Sequence, residues 1–224
     1  MVANFESGGQ WTRWRDIGDK QGISAGALQC TEKSGGIAHV IETFIGIKKA
    51  EGGDCTEEEK LLQRARNKQL TNDDSAIWKQ MYNENPMRMQ VAQMKAWTEG
   101  YHGKNAIATC KALAPTTALS FAAIAGATNH WPSIMLKHYK ANGMTESMPE
   151  KEKAIMAEAI HLKVSIQKQT GRVVSAKSIA ENPLQYSGRE YVGKWRGWCN
   201  RCKCVIDGAN RGDMDIANYK SYHT

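Results

Sequence analysis

The sequence predicts a mainly α-helical protein with one small β ribbon close to its N-terminus. Apolar residues recur at spacings of three and four through most of the chain from Ile37 to Ile166. Residues 11–30 break that rhythm, and their glycines are spaced as in a small antiparallel sheet. With 41% apolar residues among 224, the chain can bury a substantial core. Residues 1–193 are therefore expected to form one domain. A basic, cysteine-rich segment, 194–224, is either appended to it or part of it.

The helices follow in order. Ser34 is placed to cap a first helix whose inward residues are Ile37, Val40, Ile41, Phe44 and Ile45, and Gly52-Gly53 ends it. Thr56 and Glu59 are spaced as a capping box for a second helix running to about Lys68. Asp73 or Asp74 opens a third, with Ile77, Trp78 and Met81. Pro86 suits the first turn of a fourth, whose expected inner face is Met87, Val91, Met94 and Tyr101. Ala106–Thr128 is apolar almost all round and reads as one central buried helix. Trp131–Ala141 forms another, stopped near Gly143. Glu150–Gln169 then turns Ile155, Ala159, Leu162 and Ile166 inward.

Candidate chemistry sits at the start of the chain. Asn4-Phe5-Glu6-Ser7-Gly8-Gly9 is followed by Ile17-Gly18-Asp19, Gly22 and Ser24-Ala25-Gly26. Inverting glycosidases need a protonated acid for the leaving oxygen and an ionised base that activates water on the opposite sugar face. Glu6 and Asp19 can fill those roles, and the Ser24 hydroxyl can hold the water.

These residues resemble the active-site region of the glycoside hydrolase family 46 chitosanases, a branch of the lysozyme-like superfamily. The resemblance covers residues 4–30. It returns around Asp74–Tyr101, where Ala76-Ile77-Trp78 and Asn85-Pro86 are similar to a family segment lining the other cleft wall. It implies a two-lobed lysozyme-like fold, with the β ribbon at the active site. Glu6 would be the general acid and Asp19 the base, with Ser24 standing where the family has threonine. The Glu-Ser-Gly-Gly string also resembles lytic transglycosylases and family 19 lysozymes, in which Glu6 would again be the acid.

A net charge of +7 and a pI near 9.1 point to an acidic partner. They argue against cationic chitosan and for the anionic glycan strands of peptidoglycan or other anionic wall polymers. No secretory leader is recognisable in residues 1–10, and Lys111 and Pro115 interrupt the most apolar window, so no membrane span is expected. A wall-degrading enzyme of this kind would be made in a host cytoplasm and reach the wall after holin release or virion delivery, which suits a phage or prophage endolysin.

Other features are read more plainly. Cys30, Cys55 and Cys110 suit small buried hydrophobes, whereas Cys199, Cys202 and Cys204 form a CxxCxC cluster open to zinc, a disulfide or free thiols. Trp11, Trp14 and Trp78 are candidate sugar platforms as well as core residues. His102, His130 and His138 lack metal-ligand spacing, and Met87, Met89 and Met94 suit the core of one helix. Lys194-Trp195-Arg196-Gly197-Trp198 suits a solvated basic face or a polymer-binding one. Phosphate-binding loops, dinucleotide fingerprints, serine-hydrolase elbows and zincin motifs do not occur, and no cofactor is expected. The combined expectation is an inverting muramidase that works as a monomer on peptidoglycan, without nucleic acid as a partner. A chitosanase, a lytic transglycosylase and a non-catalytic basic binding protein are the alternatives.

Overall fold

The computed structural model describes residues 10–16, 18, 20–193 and 197–215. The chain divides into two compact units, residues 2–104 and 105–224. As the sequence predicts, it is mainly helical with one small sheet.

In the first unit, strands β1 (Trp14–Asp16), β2 (Ile23–Ala25) and β3 (Cys30–Thr31) form an antiparallel sheet in that order. Four helices follow: α1 (Gly36–Ala50), α2 (Thr56–Arg66), α3 (Ser75–Glu84) and α4 (Pro86–Glu99). The predicted inner face of α1, Ile37, Val40, Ile41, Phe44 and Ile45, is buried throughout. It meets Leu61, Trp78, Met81, Met89 and Ala92 in one core, which the sheet joins through Ile23, Ala25 and Cys30. Each large side chain so buried contributes about 1.5–3 kcal/mol. Lys48 ties three helices together, donating to Glu58 of α2 and Glu84 of α3 at 2.7 Å each.

Three expectations for this unit are corrected. The cap position of α1 is Gly35 at φ +77°, while the Ser34 hydroxyl donates to the Thr31 carbonyl and accepts from Gly36 N at 3.4 Å. At α2 the cap is Cys55: Thr56 donates to Asp54 instead, and Glu59 pairs with Lys49. On α4, Met87, Val91 and Met94 are exposed, as is Tyr101 beyond its end, and Met89, Ala92, Gln93, Ala96 and Trp97 are buried. Both faces of α4 carry apolar residues, so periodicity alone does not choose between them. Alanine at positions 92 and 96 permits the closer approach to α1, and of the three helical methionines only Met89 is core. The start of α4 is as expected, with Pro86 in the first turn and Asn85 accepting from Arg88 N at 3.0 Å.

Helix α5 (Tyr101–Leu113) leads into the second unit. There α6 (Ala118–His130), α7 (Met135–Ala141), α9 (Ala176–Glu181), α10 (Arg189–Val192) and α11 (Gly197–Arg211) surround α8 (Glu150–Thr170). The predicted single helix over 106–128 is two helices. Pro115 cannot continue a helix, and the chain turns at Ala114, φ +42°. Thr117 then caps α6 by accepting from Ser120 N. Glu150 fastens this turn: its Oε2 accepts from Thr116 N at 2.9 Å, Thr117 N at 3.1 Å and the Ser120 hydroxyl. Lys153, nearly fully buried, bonds Glu150 Oε1 at 2.8 Å and the Ala114 carbonyl at 3.2 Å.

The CxxCxC cluster lies on α11. Cys199 and Cys202, three residues apart, face the core, whereas helical rotation carries Cys204 to a half-buried flank. The three thiols therefore do not converge as metal ligands, and among the described residues no group of three His, Cys, Asp or Glu does. No disulfide links the six cysteines. Burial pushes the Cys30 and Cys110 thiols up to about 12, which makes them inert packing groups. No described helix is long and apolar enough to cross a membrane.

Burial opposes ionisation of Glu150, but the Lys153, Ser120 and backbone hydrogen bonds outweigh it and hold the carboxyl at about 2. A lowered carboxyl pKa contributes stability that is complete above the ordinary value near 4.5 and lost as pH falls toward 2. Glu150→Gln is expected to lower Tm by about 3–10 °C at pH 7. The gap to the wild type should close between pH 4.5 and 2. Thermal scans across that range check this, and a pH-independent gap would contradict it.

Candidate active site

Of the three predicted catalytic residues, Ser24 falls within the described residues, on the β ribbon. In β2, Ile23 and Ala25 face the core, so Ser24 points to the other side of the sheet. It is nevertheless only 2% exposed. Its cross-strand partners are Arg15 on β1 and Thr31 on β3. Glu6 and Asp19 lie outside the described residues, Asp19 within the connection from β1 to β2.

Two glycines let other parts of the unit approach the ribbon closely. Gly22 has φ +72°, and a Cβ there would stand 2.3 Å from Glu32 Oε2; Gly26 has φ +75°, and a Cβ there would stand 2.2 Å from Gln93 Oε1. Both groups hold backbone. Glu32 Oε1 accepts from Leu70 N at 2.8 Å. Gln93, fully buried on α4, accepts from Ala27 N at 3.0 Å and donates to the Trp11 carbonyl at 3.0 Å. The Trp78 indole donates to the same carbonyl at 3.2 Å, and the Trp14 indole donates to the Thr71 carbonyl at 3.0 Å. The ribbon is thus pinned from α3, α4 and the segment before α3.

The three tryptophans divide by exposure. Trp78 is 0% exposed and packs against Trp14 with ring centroids 5.5 Å apart, so it cannot be the sugar platform anticipated for it. It is a core residue that also fixes the chain at Trp11. Trp11, just before the ribbon, and Trp14, on its first strand and packed against the core, are half-buried.

Sequence reasoning missed Gln93 and Glu32. Gln93 had a signal: a carboxamide between Met89, Ala92 and Ala96 would be costly to bury without partners. Glu32, beside a strand end, had none. A groove of about 710 Å³ between α1 and α4, lined by His39, Glu42, Ile47, Glu51 and Val91, also holds two carboxylates. Arg66 engages Glu42 at 2.7 Å and Arg88 engages Glu51, so neither is poised for proton transfer.

No protein-family profile and no curated protein matches the sequence. Among solved structures the likeness is clear. The native chitosanase from Bacillus subtilis MY002 superposes with a TM-score of 0.64 at 15% identity, covering 96% of this chain and 88% of that one. A variant of it complexed with 6 GlcN gives 0.63 at 15% identity over the same shares. The family 46 chitosanase from Gynuella sunshinyii, complexed with chitotetraose, gives 0.61 at 14% identity, covering 96% of this chain and 87% of that one. The class defined is one of architecture: this chain has the fold of the family 46 chitosanases, helices plus a small three-stranded antiparallel sheet.

Gln93→Ala is expected to unpin the ribbon. It leaves Ala27 N–H and one lone pair of the Trp11 carbonyl without their buried partner, at a cost of about 2–4 kcal/mol. Denaturant unfolding measures that loss. Stability within about 0.5 kcal/mol of the wild type would refute the pinning role.

Proposed function

We propose that the protein is an inverting glycoside hydrolase acting on β-linked amino-sugar polymers. The observation that carries the reading is the shared architecture, extending over 96% of the chain, with Ser24 on the middle strand of the ribbon. Cleavage with inversion would use Glu6 to protonate the leaving oxygen and Asp19 to take a proton from the attacking water, which Ser24 would orient. Two carboxyls in these roles need opposite environments, the acid partly buried so that it stays protonated and the base solvated or hydrogen-bonded so that it stays ionised. The pinning of the ribbon supports this reading, because a water activated from a mobile loop would forfeit the orientation on which the rate depends.

For the substrate, the similar structures favour a chitosan-type polymer, since two of them are complexes with 6 GlcN and chitotetraose. Peptidoglycan glycan strands are the second reading, favoured by the net charge of +7. Both are amino-sugar polymers, and the same pair of carboxyls would serve either.

Product analysis after incubation with chitosan oligomers and with solubilised peptidoglycan should show new reducing ends of inverted anomeric configuration, read by proton NMR immediately after cleavage. Glu6→Gln should lower turnover by about 10² to 10⁴ with folding unchanged. Asp19→Asn should do the same. Anhydro ends with an active Asp19→Asn variant would instead identify a transglycosylase, and near wild-type turnover in Glu6→Gln would remove the acid from its assigned place.

A further inference from the structure

Among the described residues of the ribbon, cations outnumber carboxylates. Its described cations are Arg13, Arg15, Lys20 and Lys33, and its described carboxylates are Asp16 and Glu32. Both carboxylates are engaged by backbone: Asp16 Oδ1 accepts from Gly18 N at 2.8 Å, and Glu32 Oε1 from Leu70 N at 2.8 Å. Arg15 and Lys20 are exposed, and neither forms an ion pair among the described residues. Register places Arg15 directly. It lies opposite Ser24, which lies opposite Thr31, so one row crosses all three strands on the face away from the core. Directly opposed residues have Cβ atoms about 5 Å apart. Asp16, the neighbour of Arg15 in sequence, pairs with Ile23 and belongs to the other face.

We propose that Arg15, assisted by Lys20, is a specificity-determining residue that receives a carboxylate carried by the substrate next to the scissile bond. The substrate is then a carboxylate-bearing amino-sugar polymer in preference to polyglucosamine. The inference rests on the hydrolase reading for its link to cleavage. The exposed guanidinium of Arg15, on the strand position paired with Ser24, offers two parallel N–H donors to a carboxylate. It repels the ammonium of an unacetylated glucosamine in the same place. At separations of about 7 Å, with an effective dielectric between that of water and of a protein surface, one such charge changes kcat/KM by about 3- to 50-fold. The carboxylate can come from the lactyl group of the glycan or from an acidic residue of a stem peptide.

The test compares wild type, Arg15→Gln and Arg15→Glu on four soluble probes: peptidoglycan fragments with stem peptides, glycan strands stripped of peptides, glucosamine oligomers and neutral N-acetylglucosamine oligomers. Arg15→Glu should lower kcat/KM about tenfold or more on at least one of the carboxylated probes. It should change the neutral oligomer least and raise activity on glucosamine oligomers, and 0.5 M salt should shrink every difference. Loss on stripped strands assigns the lactyl carboxylate, and loss only with peptides present assigns the peptide. Equal changes on carboxylated, neutral and cationic probes would overturn the proposal, and so would no change. Calorimetric binding of the same probes to the Glu6→Gln protein, with and without the Arg15 changes, separates the two readings. Charge-selective binding that depends on Arg15, with no cleavage of any probe by the wild type, would sink the hydrolase reading and leave the subsite standing. Binding indifferent to Arg15 would sink the subsite.

Discussion

Strands of three, three and two residues cannot hold themselves together in water, because so small a sheet buries too little to offset its own ordering. The ribbon therefore depends on partners outside it, and the central one is the Gln93 carboxamide. It reaches across from α4 to close one hydrogen bond with Ala27 N and another with the Trp11 carbonyl. Because it is fully buried, leaving either of its ends unmatched would cost more than the bonds themselves contribute. The rest follows in sequence. Gly26 must lack a side chain to admit the amide, Trp78 must be buried to share the Trp11 carbonyl, and α4 must turn its alanine side inward to bring Gln93 to the ribbon.

The second unit is organised around a comparable commitment. Glu158 in the middle of α8 is fully buried, and Arg201 of α11 meets it through Nε at 3.0 Å and a terminal nitrogen at 2.6 Å. Burial alone would push the Glu158 carboxyl up, yet Arg201 and His161 bring it below its ordinary value. Gly126 of α6 admits the guanidinium, since a Cβ there would stand 2.6 Å from it. Buried ion pairs are weak sources of net stability because desolvation offsets their attraction. This one specifies position, since α11 can dock on α8 in one register without stranding a charge. His161, driven down to about 4 by burial, stacks on His130 and shares a 3.0 Å hydrogen bond with it, which extends the same network to the end of α6.

Much of this was legible in the residues. The inner face of α1 follows from a clean 3.6-residue period, and the ribbon follows from the lack of one between residues 11 and 30; α8 has the expected extent, but it is buried on nearly all sides and Ile155 of its expected inner face is half-buried. Where reading failed, two local rules competed. Ser34 and Thr56 look like caps, but an adjacent Gly35 in the left-handed region and a neighbouring Asp54 take over the backbone and the hydroxyl. Apolar residues on both sides of α4 leave its orientation to Gln93, a long-range hydrogen bond that no local pattern encodes. Pro115 broke the long apolar segment despite its composition. At the candidate site, Ser24 falls on the ribbon as its motif implies, while Trp78 could not be told from a sugar platform because the same large ring serves both purposes. Glu32 was invisible, since its partner is a backbone amide 38 residues away.

Fold and charge carry different parts of the functional argument. The architecture is that of chitosanases, and a fold of this kind supplies a scaffold without fixing what it binds. Substrate choice would then rest on the side chains that line the scaffold, and here the outer face of the ribbon presents Arg15 in register with Ser24. An enzyme for a polycation gains nothing from an exposed guanidinium at that position, whereas one for an anionic glycan gains both attraction at a distance and bidentate recognition on contact. The net charge of +7 on the whole chain acts in the same direction at longer range. A local device and a global one thus favour the same polymer, and neither requires any change in the fold.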